Sequence, residues 1–121
     1  MSINNFEEQT HELNEYELKK IVPKIVRGLQ TKIGKQNAIT NKKIIDRLKS
    51  IKIKTTPSRV RKMIHHIRIT GLVERLIATS RGYYITNDKK EMEDYVESLI
   101  QRSESIMSIA KQLDYQRKKM A

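Results

Sequence analysis

Cysteine and tryptophan are absent from the 121 residues, and phenylalanine occurs once. Without cysteine the chain can build neither a disulfide framework nor a thiolate metal site. Aromatic residues make up only 5%, so the stacking platforms on which RNA-binding modules hold splayed bases lack material. No run of 18 apolar residues is present to span a bilayer, and the opening MSINNFEEQ has neither the basic nor the apolar region of a secretory signal. The expectation is a soluble, cytoplasmic chain with one core of ordinary domain size.

Acids are the most telling shortage. Residues 19–84 contain 18 Lys+Arg against only Asp46 and Glu74, a net charge of +16. Residues 1–18 are the reverse, with five Glu and no base, and residues 85–121 balance seven charges of each sign. Charge spread for solubility would not collect in this way, so the middle zone is the candidate surface for a polyanion.

The pattern of apolar residues divides the chain into elements. From Asn14, a candidate N-cap, Leu18, Ile21, Val22, Ile25, Val26, Leu29 and Ile33 recur at helical spacing. Pro23 is expected to kink or divide this helix, and Gly34 to stop it. Ala38-Ile39-Thr40 reads as a short extended link. Thr40 or Asn41 then caps a second helix whose buried face is Ile44, Ile45, Leu48 and Ile51. Thr56-Pro57 is a strong start signal for a third helix that runs to about Thr70 and stops at Gly71. At 100° per residue, Val60, Met63, Ile64 and Ile67 share one stripe while Ser58, Lys62 and His65 point the opposite way. Arg61 lies at one edge of the polar face and Arg59 and His66 at the other. Beyond Gly71, two β-prone runs, Leu72–Ala78 and Tyr83–Thr86, flank Thr79-Ser80-Arg81-Gly82 and predict a hairpin with a basic tip. Gly82 is expected to supply a positive φ at the turn. Tyr83 and Tyr84 must face opposite sides of the strand, one towards the core.

Three helices followed by such a hairpin is the element order of a winged helix-turn-helix domain. The stretch Val60-Arg-Lys-Met-Ile-His-His-Ile-Arg-Ile-Thr-Gly-Leu-Val73, the later Leu76-Ile-Ala-Thr-Ser-Arg-Gly-Tyr-Tyr-Ile85, and Ala38-Ile-Thr-Asn-Lys-Lys-Ile-Ile45 resemble winged-helix proteins of bacteriophage and prophage origin. The resemblance implies a mainly α (α+β) fold and a double-stranded DNA-binding domain with recognition helix 57–70 and wing 79–82. It also implies a phage-type transcriptional regulator or replication accessory in a bacterial or phage-infected cell.

Each candidate contact has a chemical reason. Arg59, Arg61, Lys62 and His65 present donors on the polar face of the third helix, where arginine can bind a guanine edge in bidentate fashion. Ser58 can bind phosphate or a base edge. Lys42 and Lys43, at the start of the second helix, suit phosphate, and Arg81 at the hairpin tip suits the minor groove or the backbone. His65 and His66 are neighbours that diverge by about 100° on a helix and cannot share an ion. Five residues separate Gly28 from Gly34, where a P-loop requires four, and Gln36 stands in place of its Ser/Thr. The expectation is a non-enzymatic protein with no metal, cofactor or small-molecule substrate. The alternative is a winged helix used as a protein adaptor without DNA binding.

From Asn87-Asp88 a last helical pattern continues to about Lys118. Met92, Leu99, Ile106, Leu113 and Met120 recur every seven residues, and Val96, Ser103 and Ala110 follow four places after them. A helix of 30 residues is about 45 Å long and outreaches a small core. The expected organisation is an acidic terminus at 1–13, a DNA-binding domain at 14–86 and a self-association helix at 87–121. Met92, Val96, Leu99, Ile106, Ala110 and Leu113 would form the seam of a homodimer, and a twofold axis would match a palindromic site.

Overall fold

The computed structural model describes residues 12–121; the expected flexible terminus lies outside the described residues except for Glu12 and Leu13. The chain is mainly helical, with a two-stranded antiparallel sheet. It divides into a unit ending at Asn87 and a second unit, Asp88–Ala121.

Asn14 opens the first unit with a reciprocal cap. Its Oδ1 accepts from the Glu17 amide at 2.8 Å, and its own amide donates to Glu17 Oε1 at 3.0 Å. The helix then passes through a π-helical turn, Glu17–Ile21, into α1, Val22–Leu29. Pro23 accounts for the change of pitch: it has no amide for the carbonyl four residues back, and the Val22 amide reaches the Glu17 carbonyl, five back. The proline marks a change from π-helical to α-helical pitch within one unbroken helical run, not a break into two pieces.

The helix ends at Leu29 and does not reach Gly34. Sheet hydrogen bonds take over the following backbone, because the Gly34 amide donates to Ile85 O at 2.9 Å and the Ile85 amide donates to Lys32 O at 2.7 Å. Ile33 is left exposed.

Helix α2 covers Asn41–Ser50, capped by Thr40, whose hydroxyl accepts from the Lys43 amide at 3.2 Å. Ile44 and Leu48 enter the core and Ile45 packs partly against it. Ile51 does not, being 53% exposed. The chain turns at Lys52, where φ is +67°, and Ile53 occupies the buried place with its amide on Leu48 O at 2.9 Å.

Helix α3 is Pro57–Thr70, with Thr56 accepting from the Arg59 amide at 3.3 Å and Gly71 closing the helix at φ +74°. Val60, Met63, Ile64 and Ile67 are all at most 2% exposed. Burial of four such side chains, each worth about 1.5–3 kcal/mol, fixes which face of α3 is left outward.

Strand β1 is Leu76–Thr79 and β2 is Gly82–Ile85, in the register Leu76 to Ile85 and Thr79 to Gly82. The first strand begins four residues later than the sequence pattern suggests. Arg75 takes φ +61°, so Leu72–Arg75 forms a turn out of α3, tied to the end of the ladder by the Thr86 amide donating to Arg75 O at 3.1 Å. The other edge of β2 is also occupied: Ile39 and Tyr83 exchange two backbone hydrogen bonds of 3.0 and 2.8 Å, and Ile33 bridges Ile85 in parallel. The extended link before α2 is therefore tied to β2 by an isolated bridge beside the two-stranded sheet.

The second unit is α4, Lys89–Lys118. Asp88 caps it by accepting from the amides of Lys90 at 2.9 Å and Glu91 at 3.3 Å. No residue of α4 is buried. Among the described residues no helix is long and apolar enough to cross a membrane.

Candidate nucleic-acid interface

Three elements meet at Asn41. Its side-chain amide donates to Pro57 O, at the start of α3, at 3.2 Å, and its Oδ1 accepts from the Tyr83 hydroxyl of β2 at 3.3 Å. Backbone packing tightens the same junction. Gly82 sits at φ +120°, and a Cβ there would collide with the carbonyl of Ile39 and crowd the Thr40 amide. This glycine answers both a positive φ and a close approach. The hairpin tip bearing Arg81 is thereby held against the residues that lead into Lys42 and Lys43.

Tyr84 is the core tyrosine, at 1% exposure, and Tyr83 is the half-buried one. Burial raises the Tyr83 phenol above its ordinary range, opposed by the positive charges of Arg61 and Arg68. Those two arginines, seven residues apart, share one side of α3. Arg61, Lys42, Lys43 and Arg81 are all exposed. Arg68, partly buried, is a member of the group that the sequence reading missed; its signal was the spacing of seven from Arg61.

Lys62 and His65 lie on another flank of α3. With Glu12, Leu13, Leu18, His66 and Ile69 they line a groove of about 330 Å³. Ile69 is 69% exposed, an isoleucine on the polar face of the helix that periodicity of the core stripe alone did not single out.

Two expected contacts are withdrawn from the surface. Ser58 is buried at 8% exposure, with its hydroxyl 3.3 Å from that of Thr56. It belongs to the first turn of α3, where a serine hydroxyl turns back to the capping residue instead of outward. Arg59 is engaged by the acidic end of the chain. Its Nε donates to Glu17 Oε2 at 2.8 Å, its Nη2 donates to Glu17 Oε1, and Nη2 also donates to Glu12 O at 3.1 Å. Both side chains of the pair are nearly covered, at 12% and 6% exposure. The Arg59 hydrogen bonds hold the Glu17 carboxyl below the usual carboxylate range, against the opposing effect of burial. A guanidinium so engaged has no fork left for a base edge.

Of the α4 residues expected on the dimer seam, Ala110 is exposed and Met92 partly covered. Val96, Leu99, Ile106 and Leu113 are between 39% and 66% exposed.

No protein-family model, curated protein or solved structure matches this chain.

Proposed function

We propose that the unit ending at Asn87 is a winged helix-turn-helix domain that binds double-stranded DNA. In this reading α3 enters the major groove and the β1–β2 turn meets the backbone or minor groove. The fold assignment is supported by the order of three helices and a hairpin, and by the extended segment at Ile39 that pairs with β2. The DNA reading is carried by one observation: Lys42, Lys43, Arg61 and Arg81, all exposed, belong to three elements that converge on Asn41 in a zone of net charge +16.

The roles divide by position. Arg61 on α3 reads a base edge, aided by Lys62 and His65 where the groove admits them; Lys42 and Lys43 hold phosphates; Arg81 follows the backbone or the minor groove. Ser58 and Arg59 have no part in it. The chain acts without enzymatic chemistry, in the cytoplasm, as a sequence-specific phage-type regulator or replication accessory. A second copy joins through α4, because two half-sites multiply the affinity of one.

Selection of fragments from a random pool of duplex DNA by the purified protein tests this reading. Enrichment of a common sequence is the expected result. Retention of no duplex at low salt would overturn it.

A further inference from the structure

We infer that α4 pairs with α4 of a second copy in antiparallel orientation, in a register that sets Asp88 of one helix opposite Ala121 of the other. The inference rests on the reading of α4 as the self-association element. It adds the direction and register of the pair, and with them the separation of the two DNA-binding units.

The first argument is charge. Residues 88–104 carry six acids against three bases, a net of −3, and residues 105–121 carry four bases against one acid, a net of +3. An antiparallel pair sets each negative half beside the positive half of the other copy, and it also opposes the two helix dipoles. A parallel pair sets like beside like along the whole length.

The second argument is side-chain size along the seam. In an antiparallel pair, the residues of one seam position face those of the other seam position on the partner helix. With the ends aligned, Val96 meets Leu113 of the second copy, Ser103 meets Ile106, and Ala110 meets Leu99. Each small or medium residue is matched with a large one, the condition for filling the space between helices. The last layer sets Arg117 against Met92, at the rim, next to Glu93 of the second copy. Beside the seam, Ile100 meets Met107, two residues more than half exposed in the single chain. A parallel pair would stack Ser103 on Ser103, Ala110 on Ala110 and Arg117 on Arg117, leaving two thin layers and a like-charge layer.

The consequence is geometric. With the ends aligned, the first residues of the two helices lie about 45 Å apart at 1.5 Å per residue. The two DNA-binding units are thus joined at opposite ends of the pair.

The cysteine-free sequence makes the test direct. Val96→Cys and Leu113→Cys are prepared in the full chain, and the mass of the unmodified protein is measured by light scattering at tens of micromolar. The expected mass is twice 14.2 kDa. On oxidation, the mixed variants should form a disulfide between Cys at 96 and Cys at 113. Neither variant alone should link to itself, because like positions lie about 25 Å apart. A dimer in which Val96→Cys links to itself would overturn the antiparallel orientation while leaving self-association intact. A dimer with no linkage in any combination would overturn pairing through this face. A monomeric mass would overturn both the orientation and the self-association beneath it.

Discussion

Glu17 grips Arg59 across 42 positions of sequence, in a two-point ion pair that joins the first helical turn to the start of α3. The same carboxylate closes the Asn14 cap, so one acidic residue starts a helix and anchors another. The arginine expected as a DNA contact is held instead in a nearly covered pair with Glu17.

Breaking that pair leaves a charge in a covered place. Arg59→Ala or Glu17→Gln should each cost about 3–5 kcal/mol, read as a fall in the midpoint of urea unfolding. The affinity of the folded fraction for duplex DNA should stay near that of the unmodified protein. A large loss of affinity in fully folded Arg59→Ala would return this residue to the interface.

The pair also gives a pH signature. The Glu17 carboxyl titrates lower in the folded chain than in the unfolded one, chiefly because of the Arg59 hydrogen bonds. The stabilisation is therefore complete above the ordinary carboxylate range and is lost as pH falls through that range towards the folded value. Thermal midpoints measured against pH should fall more steeply for the unmodified protein than for Glu17→Gln. Parallel curves would show that the pair contributes nothing to acid sensitivity.

Gly82 and Gly28 should respond in opposite ways to alanine. Gly82 has φ +120° and no room for a Cβ against Ile39, whereas Gly28 lies within α1 with nothing within 4 Å of such a Cβ. Gly82→Ala is expected to destabilise by more than about 1 kcal/mol, and Gly28→Ala to stabilise by about 0.5–1 kcal/mol. Calorimetric melts of the two variants decide it.

Much of this was legible in the sequence where local chemistry dominates. Thr40, Thr56-Pro57, Gly71 and Asp88 fixed helix ends because a cap or a missing amide acts within one turn. What escaped was settled over long distances. Leu29 ends its helix because Lys32 and Gly34 bond to Ile85, more than 50 residues on, and no signal near Ile33 announces that sheet. Ile51 and Ile53 are alike in composition, and only the turn at Lys52 decides which is buried. For the candidate site the lesson is the same. Helical angle correctly put Arg61 outward, but it could not tell that a glutamate 42 residues earlier would claim Arg59.

Division of labour within the proposed interface can be read from two substitutions. Arg61→Ala should cost about 1–3 kcal/mol on the selected sequence and relax preference at one position, while Lys43→Ala should weaken binding to all sequences alike. Equal losses on selected and random duplexes for both variants would contradict the placement of α3 in the groove.

The most direct measurement is the dissociation constant for duplex DNA as a function of salt concentration, followed by fluorescence anisotropy of a labelled duplex. If Lys42, Lys43 and Arg81 each neutralise a phosphate, the logarithm of affinity should fall against the logarithm of salt with a slope of about −3 or steeper for each copy bound. Removing Lys42 and Lys43 together should flatten the slope by about 2. Affinity that does not change with salt, or no binding to any duplex at low salt, would contradict the account.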